Sequence, residues 1–173
     1  MKKILLLLLF SISFAFSQES INYQTPSSEI LELVEYDRPP SVTYDRDKNF
    51  MLFLYRDNYK SIEDLSQKEL RLAGLRINPK KNIGSRITYY NNVKIKNLKS
   101  KNPEINDIIG IPNNPLIANI NWSPNQKNIA FTNTSSDGVR LWVLNLESRS
   151  LTKLTDLKLN SNIGDVINWV NDN

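Results

Sequence analysis

The chain contains no cysteine and no histidine in its 173 residues. Without cysteine there is no disulfide, no thiol nucleophile and no thiolate metal ligand, so stability has to come from packing. Without histidine there is no imidazole base for a Ser-His-Asp triad, and the commonest metal ligand is missing. Together the two absences exclude Cys/His zinc sites. Glycine is also scarce. Gly74, Gly84, Gly110, Gly138 and Gly164 lie too far apart to frame a serine as Gly-x-Ser-x-Gly or to cradle a phosphate. No catalytic, cofactor-binding or metal-ligating residue stands out, and no cofactor is implied.

A strong charge of one sign is lacking too. The chain carries 22 Lys and Arg against 18 Asp and Glu. Lys2 and Lys3 open an export signal: Ile4 to Phe14 form its apolar core, and Ala15-Phe16-Ser17 put small residues before a cut at Gln18. That apolar run is short of the ~20 residues that span a bilayer, which argues against a retained anchor. No cysteine follows the cut to take a lipid. The mature chain, residues 18–173, is expected to be periplasmic or secreted, with no membrane span after signal removal. Losing the two lysines leaves a net charge of about +2, too little for a nucleic-acid partner. Lys94, Lys96, Lys99 and Lys101 sit among asparagines and read as a solvated loop or edge.

What is present is a repeat. An aromatic residue, a polar turn and an apolar run occur at Tyr44 to Phe53 and again at Trp122 to Phe131. A third copy starts at Asn168-Trp169 and reaches residue 173 inside its turn, which suggests a fragment. Trp122 and Trp169 are 47 residues apart, a spacing of one β-propeller blade. Tyr44 and Trp122 are 78 apart, which requires insertions, expected at residues 57–70 and 91–110.

The pattern along the chain predicts a short helical segment and then strands. Residues 18–40 are polar and helical, with Thr25 as N-cap, Pro26 at the first position and a short helix ending near Tyr36. Pro39-Pro40 stops it. Residues 41–173 form the sheet domain: strands at Ser41 to Tyr44 and Phe50 to Tyr55, then a helix opened by a capping box at Ser61 to Asp64 and running to about Leu70. Leu72 to Ile77 comes after it as one strand, then weaker candidates at Ile87 to Tyr90 and Asn92 to Ile95, and an apolar stretch at Ile108 to Ile111. Four strands come next, at Leu116 to Trp122, Asn128 to Thr134, Val139 to Leu146 and Leu151 to Leu154, with a hairpin turn at Asp137-Gly138. Val139, Leu141 and Val143 alternate with Arg140, Trp142 and Leu144, so both faces are mostly apolar, as in a sheet packed between two others. The fold class is all-β: an incomplete β-propeller of about two four-stranded blades plus the start of another, preceded by a signal peptide and a short helix. A β-sandwich with coincidental hairpins is the alternative.

Three residue sets invite a chemical reading. Asp45 to Asn49 resembles the opening of a calcium loop, but Phe50 stands where glycine is needed and Arg56 where a bidentate glutamate is needed. Trp122, Trp142 and Trp169 suit either core packing or a sugar-stacking groove. Glu63, Asp64 and Glu69 suit a solvated helix face or a recognition surface.

Trp122-Ser123-Pro124 through Phe131, with Leu141 to Leu144 and Leu151 to Thr155, resembles the propeller repeats of the prolyl oligopeptidase family of serine peptidases. Ile30 to Val34, Arg38 to Val42 and, above all, Glu69 to Pro79 are similar to the N-terminal segment of its exported glutamyl-peptidase-like members. The resemblance spans about residues 23–173. It implies an N-terminal propeller that gates access to a C-terminal α/β-hydrolase domain holding the serine, aspartate and histidine. None of those positions exists here, so the partners implied are that missing domain and, through the parent enzyme, a peptide substrate. The turns depart from the family's usual Ser-Pro-Asp-Gly-Lys in lacking its glycine. The alternative function is a non-enzymatic periplasmic propeller that binds protein partners.

Overall fold

A computed structural model describes residues 24–170. The signal peptide expected at 1–17 and the end of the expected third repeat copy lie outside the described residues. The chain divides into two units, residues 1–36 and 37–173. The first contains helix α1 (Ser28–Val34), with Ser27 in extended backbone as its N-cap and Glu29 in its first turn. The cap is thus two residues later than expected at Thr25. No helix among the described residues is long and apolar enough to cross a membrane.

The second unit is all-β with one short helix. In chain order it runs β1 (Ser41–Tyr44), β2 (Phe50–Tyr55), α2 (Ile62–Ser66), β3 (Leu70–Leu72), β4 (Leu75–Asn78) and β5 (Ile83–Gly84). It continues β6 (Asn92–Asn97), β7 (Ile105–Asp107), β8 (Ile117–Trp122), β9 (Asn128–Ser135), β10 (Gly138–Asn145) and β11 (Leu151–Lys153). Three antiparallel sheets result: β1-β2-β6-β7, β8-β9-β10-β11 and the small β3-β4-β5. No closed barrel or ring of sheets is formed among the described residues.

The structure moves several boundaries. Residues 91–110 are not an insertion; they supply β6 and β7 of the first sheet. The insertion is one continuous excursion from Arg56 to Asn91. Leu72 to Ile77 is not one strand but a hairpin, because Ala73 (φ +46°) and Gly74 (φ +87°) both adopt left-handed backbone between β3 and β4. Helix α2 ends at Ser66, where Gln67 turns extended, rather than near Leu70. Ile87 to Tyr90 forms no strand; Tyr90 makes a single bridge to Ile117. The β9–β10 loop is Ser136-Asp137, and Gly138 opens β10. The third copy, Asn168 to Val170, forms no strand among the described residues.

The two four-stranded sheets are copies of one unit. In each, the first strand ends on the aromatic, and the next residue closes the turn with its side chain. Asp45 Oδ1 accepts from the Phe50 N–H at 2.6 Å, and Ser123 Oγ accepts from the Asn128 N–H at 3.0 Å. At the turn position where the expected Ser-Pro-Asp-Gly-Lys pattern has glycine, Lys48 and Gln126 take φ of +54° and +60°. The correspondence continues past the third strand. The Leu98 N–H bonds Asn49 O at 2.7 Å, as the Leu146 N–H bonds Lys127 O at 3.0 Å. Asn97 Oδ1 accepts from the Lys99 N–H at 2.9 Å, as Asn145 Oδ1 accepts from the Glu147 N–H at 3.1 Å. Asn97-Leu98-Lys99-Ser100 and Asn145-Leu146-Glu147-Ser148 are therefore a second repeated motif, 48 residues apart.

The two copies pack through opposite faces. On the first sheet, Leu52, Leu54, Val93 and Ile95 enter the shared core; on the second, Ile129, Phe131 and Leu144 do, with Trp122 and Trp142 packed against them. Strand alignment makes Ile129 and Phe131 the counterparts of Met51 and Phe53, which point away from that core, opposite Tyr44 and Val42 on β1. Front therefore meets back, the head-to-tail arrangement that generates arrays or rings rather than a self-complementary pair. The equivalent turns also touch: the Arg46 N–H bonds Gln126 Oε1 at 2.8 Å, and Arg46 Nη2 bonds Pro124 O at 3.2 Å.

Candidate functional site

The excursion between β2 and β6 builds the most distinctive surface of the second unit. It leaves and returns at a closed neck, where the Asn91 N–H bonds Tyr55 O at 2.9 Å and Asn91 Nδ2 bonds Asp57 Oδ1 at 2.6 Å. Ser61 caps α2 by accepting from the Asp64 N–H at 3.1 Å, while its hydroxyl donates to Asp64 Oδ2 at 2.8 Å. The buried Asn78 at the end of β4 ties the turn that comes next. Its Oδ1 accepts from the Lys80 and Lys81 N–H groups, both at 3.1 Å, and its Nδ2 donates to Gln67 Oε1 at 2.6 Å.

Glu69 is the electrostatic hub of the excursion. Its carboxylate meets Arg71 Nε at 3.0 Å, Arg76 Nη1 at 3.2 Å and Arg86 Nε at 3.3 Å, and it accepts from the Ser85 hydroxyl. The Ser85 hydrogen bond and the Arg71 contact, helped by the charges of Arg76 and Arg86, hold its pKa down to about 2. Glu69 lies between α2 and β3, not on the helix face, and Asp64 is engaged by the cap of α2. The two acids are thus structural ties rather than an open recognition surface.

Between this hub and the neck lies a cleft of about 690 Å³. Arg38, Arg56, Lys60, Arg71, Lys81 and Arg86 line it, against three acids, Asp57, Asp64 and Glu69. That surplus of three positive charges is most of the +4 net charge of the whole chain, so the positive potential is concentrated here. Lys60 Nζ is turned to the carbonyls of Ser85 and Ile87, at 3.4 and 2.9 Å. Among the described residues, Arg38, Arg56 and Lys81 carry no ion pair. The Nε of Arg56 is shut off from solvent with no acceptor. Residues this scattered cannot be assembled by sequence reasoning; only the density of Lys and Arg between 56 and 86 was there to be noticed.

The other residue sets have plainer roles. Trp122 and Trp142 pack against the core, and Trp169 donates to Asn121 O at 3.4 Å, so the three indoles line no common groove. Asp45 to Asn49 is the β1–β2 turn. Among the described residues no group of three or more metal-ligating side chains exists. At the tip of β10, Asp137 receives both Nη1 and Nη2 of Arg140 at 2.9 Å, and this fork is the first reason its carboxyl lies well below the usual carboxylate range.

No protein-family model matches the chain, and no solved structure matches it. Two curated plant proteins do. One, a "Probable glutamyl endopeptidase, chloroplastic" of Oryza sativa subsp. japonica, is 30% identical over 167 residues, covering 90% of this chain and 18% of that protein. Another, of the same description from Arabidopsis thaliana, is 31% identical over 150 residues, covering 80% of this chain and 16% of that protein. The chain therefore spans less than a fifth of the length of these curated relatives.

Proposed function

We propose that this chain is the N-terminal β-propeller portion of an exported serine peptidase of the prolyl oligopeptidase family, acting in the periplasm or outside the cell. In this reading its two sheets are successive blades, and the propeller gates the approach of peptides to a C-terminal α/β-hydrolase domain. The observation that carries it is the head-to-tail packing of two equivalent four-stranded sheets, in which Leu52 and Leu54 of one share a core with Ile129 and Phe131 of the other. A sandwich of two related sheets would bury the same face of each. Front-to-back stacking leaves a free front or back to be met by a further copy, as in a ring of blades. The similarity to proteins described as glutamyl endopeptidases supports the peptidase part.

Extending the coding DNA past Asn173 tests the reading. A hydrolase domain with Gly-x-Ser-x-Gly and a downstream histidine is the expected result. A stop after further blades would leave a binding propeller and overturn the peptidase assignment. The present chain, having no nucleophile with its base, is expected to show no turnover of peptides that a serine-directed reagent abolishes.

A further inference from the structure

We propose that the β3–β4 hairpin is a membrane-docking element: Leu72 and Leu75 at its tip enter the interfacial layer of an anionic bilayer, and Arg71 and Arg76 meet the lipid phosphates. The hairpin has two unlike faces. Pairing of Leu70 with Ile77 and of Leu72 with Leu75 puts four aliphatic side chains on one side, and pairing of Arg71 with Arg76 puts both guanidiniums on the other. The apolar side is uncovered, with Leu70, Leu72 and Leu75 exposed at 46%, 65% and 37%. A strand that packs on its own molecule hides such residues, as β2 hides Leu52 and Leu54. Helix α2, the element before the hairpin, buries no residue and leaves Ile62 and Leu65 exposed as well.

Charge names the partner. Residues 59–86 hold seven Lys and Arg against three Asp and Glu, a net of +4, and the whole chain also stands at +4. The rest of the molecule is therefore balanced. A second copy would set one +4 surface against another, and like charge opposes that association; an anionic lipid layer attracts it. Glu69 takes only Nε of Arg71 and Nη1 of Arg76, so both guanidiniums keep donors for a phosphate. Residues along a strand are about 3.3 Å apart. With Leu72 and Leu75 at the acyl boundary, Arg71 and Arg76 stand one residue back, at headgroup level. Depth is limited by β3, the open edge of its sheet, whose unpaired backbone groups have to stay hydrated. Docking is therefore interfacial. The inference goes beyond the peptidase reading and does not need it, because attachment requires no catalytic domain.

The test sediments the chain from Gln18 onward, without the apolar leader, with vesicles of phosphatidylcholine alone or with about one-third phosphatidylglycerol. Binding to the anionic vesicles should be about ten-fold stronger, and added salt should erode that margin. Leu72→Asp with Leu75→Asp should weaken it about ten-fold with an unchanged circular dichroism spectrum. Phe53→Gln, on the bare face of the first sheet, should leave it unaltered. Because the chain has no cysteine, Ala73→Cys gives a single labelling point at the tip. A nitrobenzoxadiazole dye there should brighten and shift to the blue with anionic vesicles, and not with inorganic phosphate. Equal binding to both vesicles, binding to neither, a dye that does not respond to vesicles or responds to phosphate, full binding by the folded double variant, or loss of binding in Phe53→Gln would each overturn the proposal. If the double variant does not fold, the dye response and the lipid comparison decide the matter.

Discussion

Lys48 and Gln126 occupy the same left-handed position in two copies of one turn, with φ of +54° and +60°. A side chain there costs about 1 kcal/mol relative to glycine. Gln126 offsets the cost, since its amide bonds Ser123 O at 2.6 Å and the Arg46 N–H at 2.8 Å. The Lys48 side chain gives its own turn no matching pair of bonds. Lys48→Gly should raise stability in urea by about 0.5–1 kcal/mol, whereas Gln126→Gly should not. Glu69 has a different dependence, on pH. Its pKa lies at about 2 in the fold against an ordinary 4.5, so its contribution is complete above about 4.5 and is lost as pH falls through 2. Amide exchange in the β3–β5 sheet should therefore quicken over that window before the large sheets respond.

Among the elements, the contrast between the two sheets is sharpest at a pair of equivalent phenylalanines. Phe131 is 3% exposed in the shared core, while Phe53 is only partly buried on a face against which no sheet packs among the described residues. Phe131→Ala should cost about 3–5 kcal/mol in a denaturant melt, and Phe53→Ala roughly 1–2 kcal/mol. The strands of the second sheet were legible because their apolar alternation is bounded by strong turn chemistry at Ser123 to Gln126 and Ser136 to Gly138. β6 carried the same alternation, Val93 and Ile95 against Lys94 and Lys96, and was legible as a weak strand at Asn92 to Ile95, but its asparagine- and lysine-rich surroundings placed it in an insertion rather than in the first sheet. The Asn97 and Asn145 motifs, 48 residues apart, were the signal that would have corrected this. The β3–β4 hairpin was hidden because apolar residues flank Ala73-Gly74 on both sides and the break is only two residues long. The cleft was illegible for another reason: it joins residues from Arg38 to Arg86 that only tertiary packing brings together.

For the molecule as a whole, one consequence of front-to-back stacking is an unmatched face on the first sheet. Val42 and Tyr44 are 42% and 51% exposed there, beside Met51, Phe53 and Tyr55, whereas Trp122, the counterpart of Tyr44, packs on the core. Lys94 partly shields this face, standing 6.0 Å over the Tyr55 ring and 3.1 Å from Asp107. An apolar sheet face of this kind promotes association. The chain should show concentration-dependent self-association on size exclusion, and Phe53→Lys should shift it toward monomer. A sharp, cooperative melt from a monomer at every concentration would contradict this.

The closed neck at Tyr55 and Asn91 also has a bearing on how such chains diversify. Departure and return are held together by their own hydrogen bonds, while Ile83 and Tyr90 tie the returning arm to Ser161 and to Ile117 of β8. The outer part, α2 and the β3–β4 hairpin, is therefore where such chains can vary in length and chemistry, whereas the returning arm belongs to the scaffold and would not tolerate exchange.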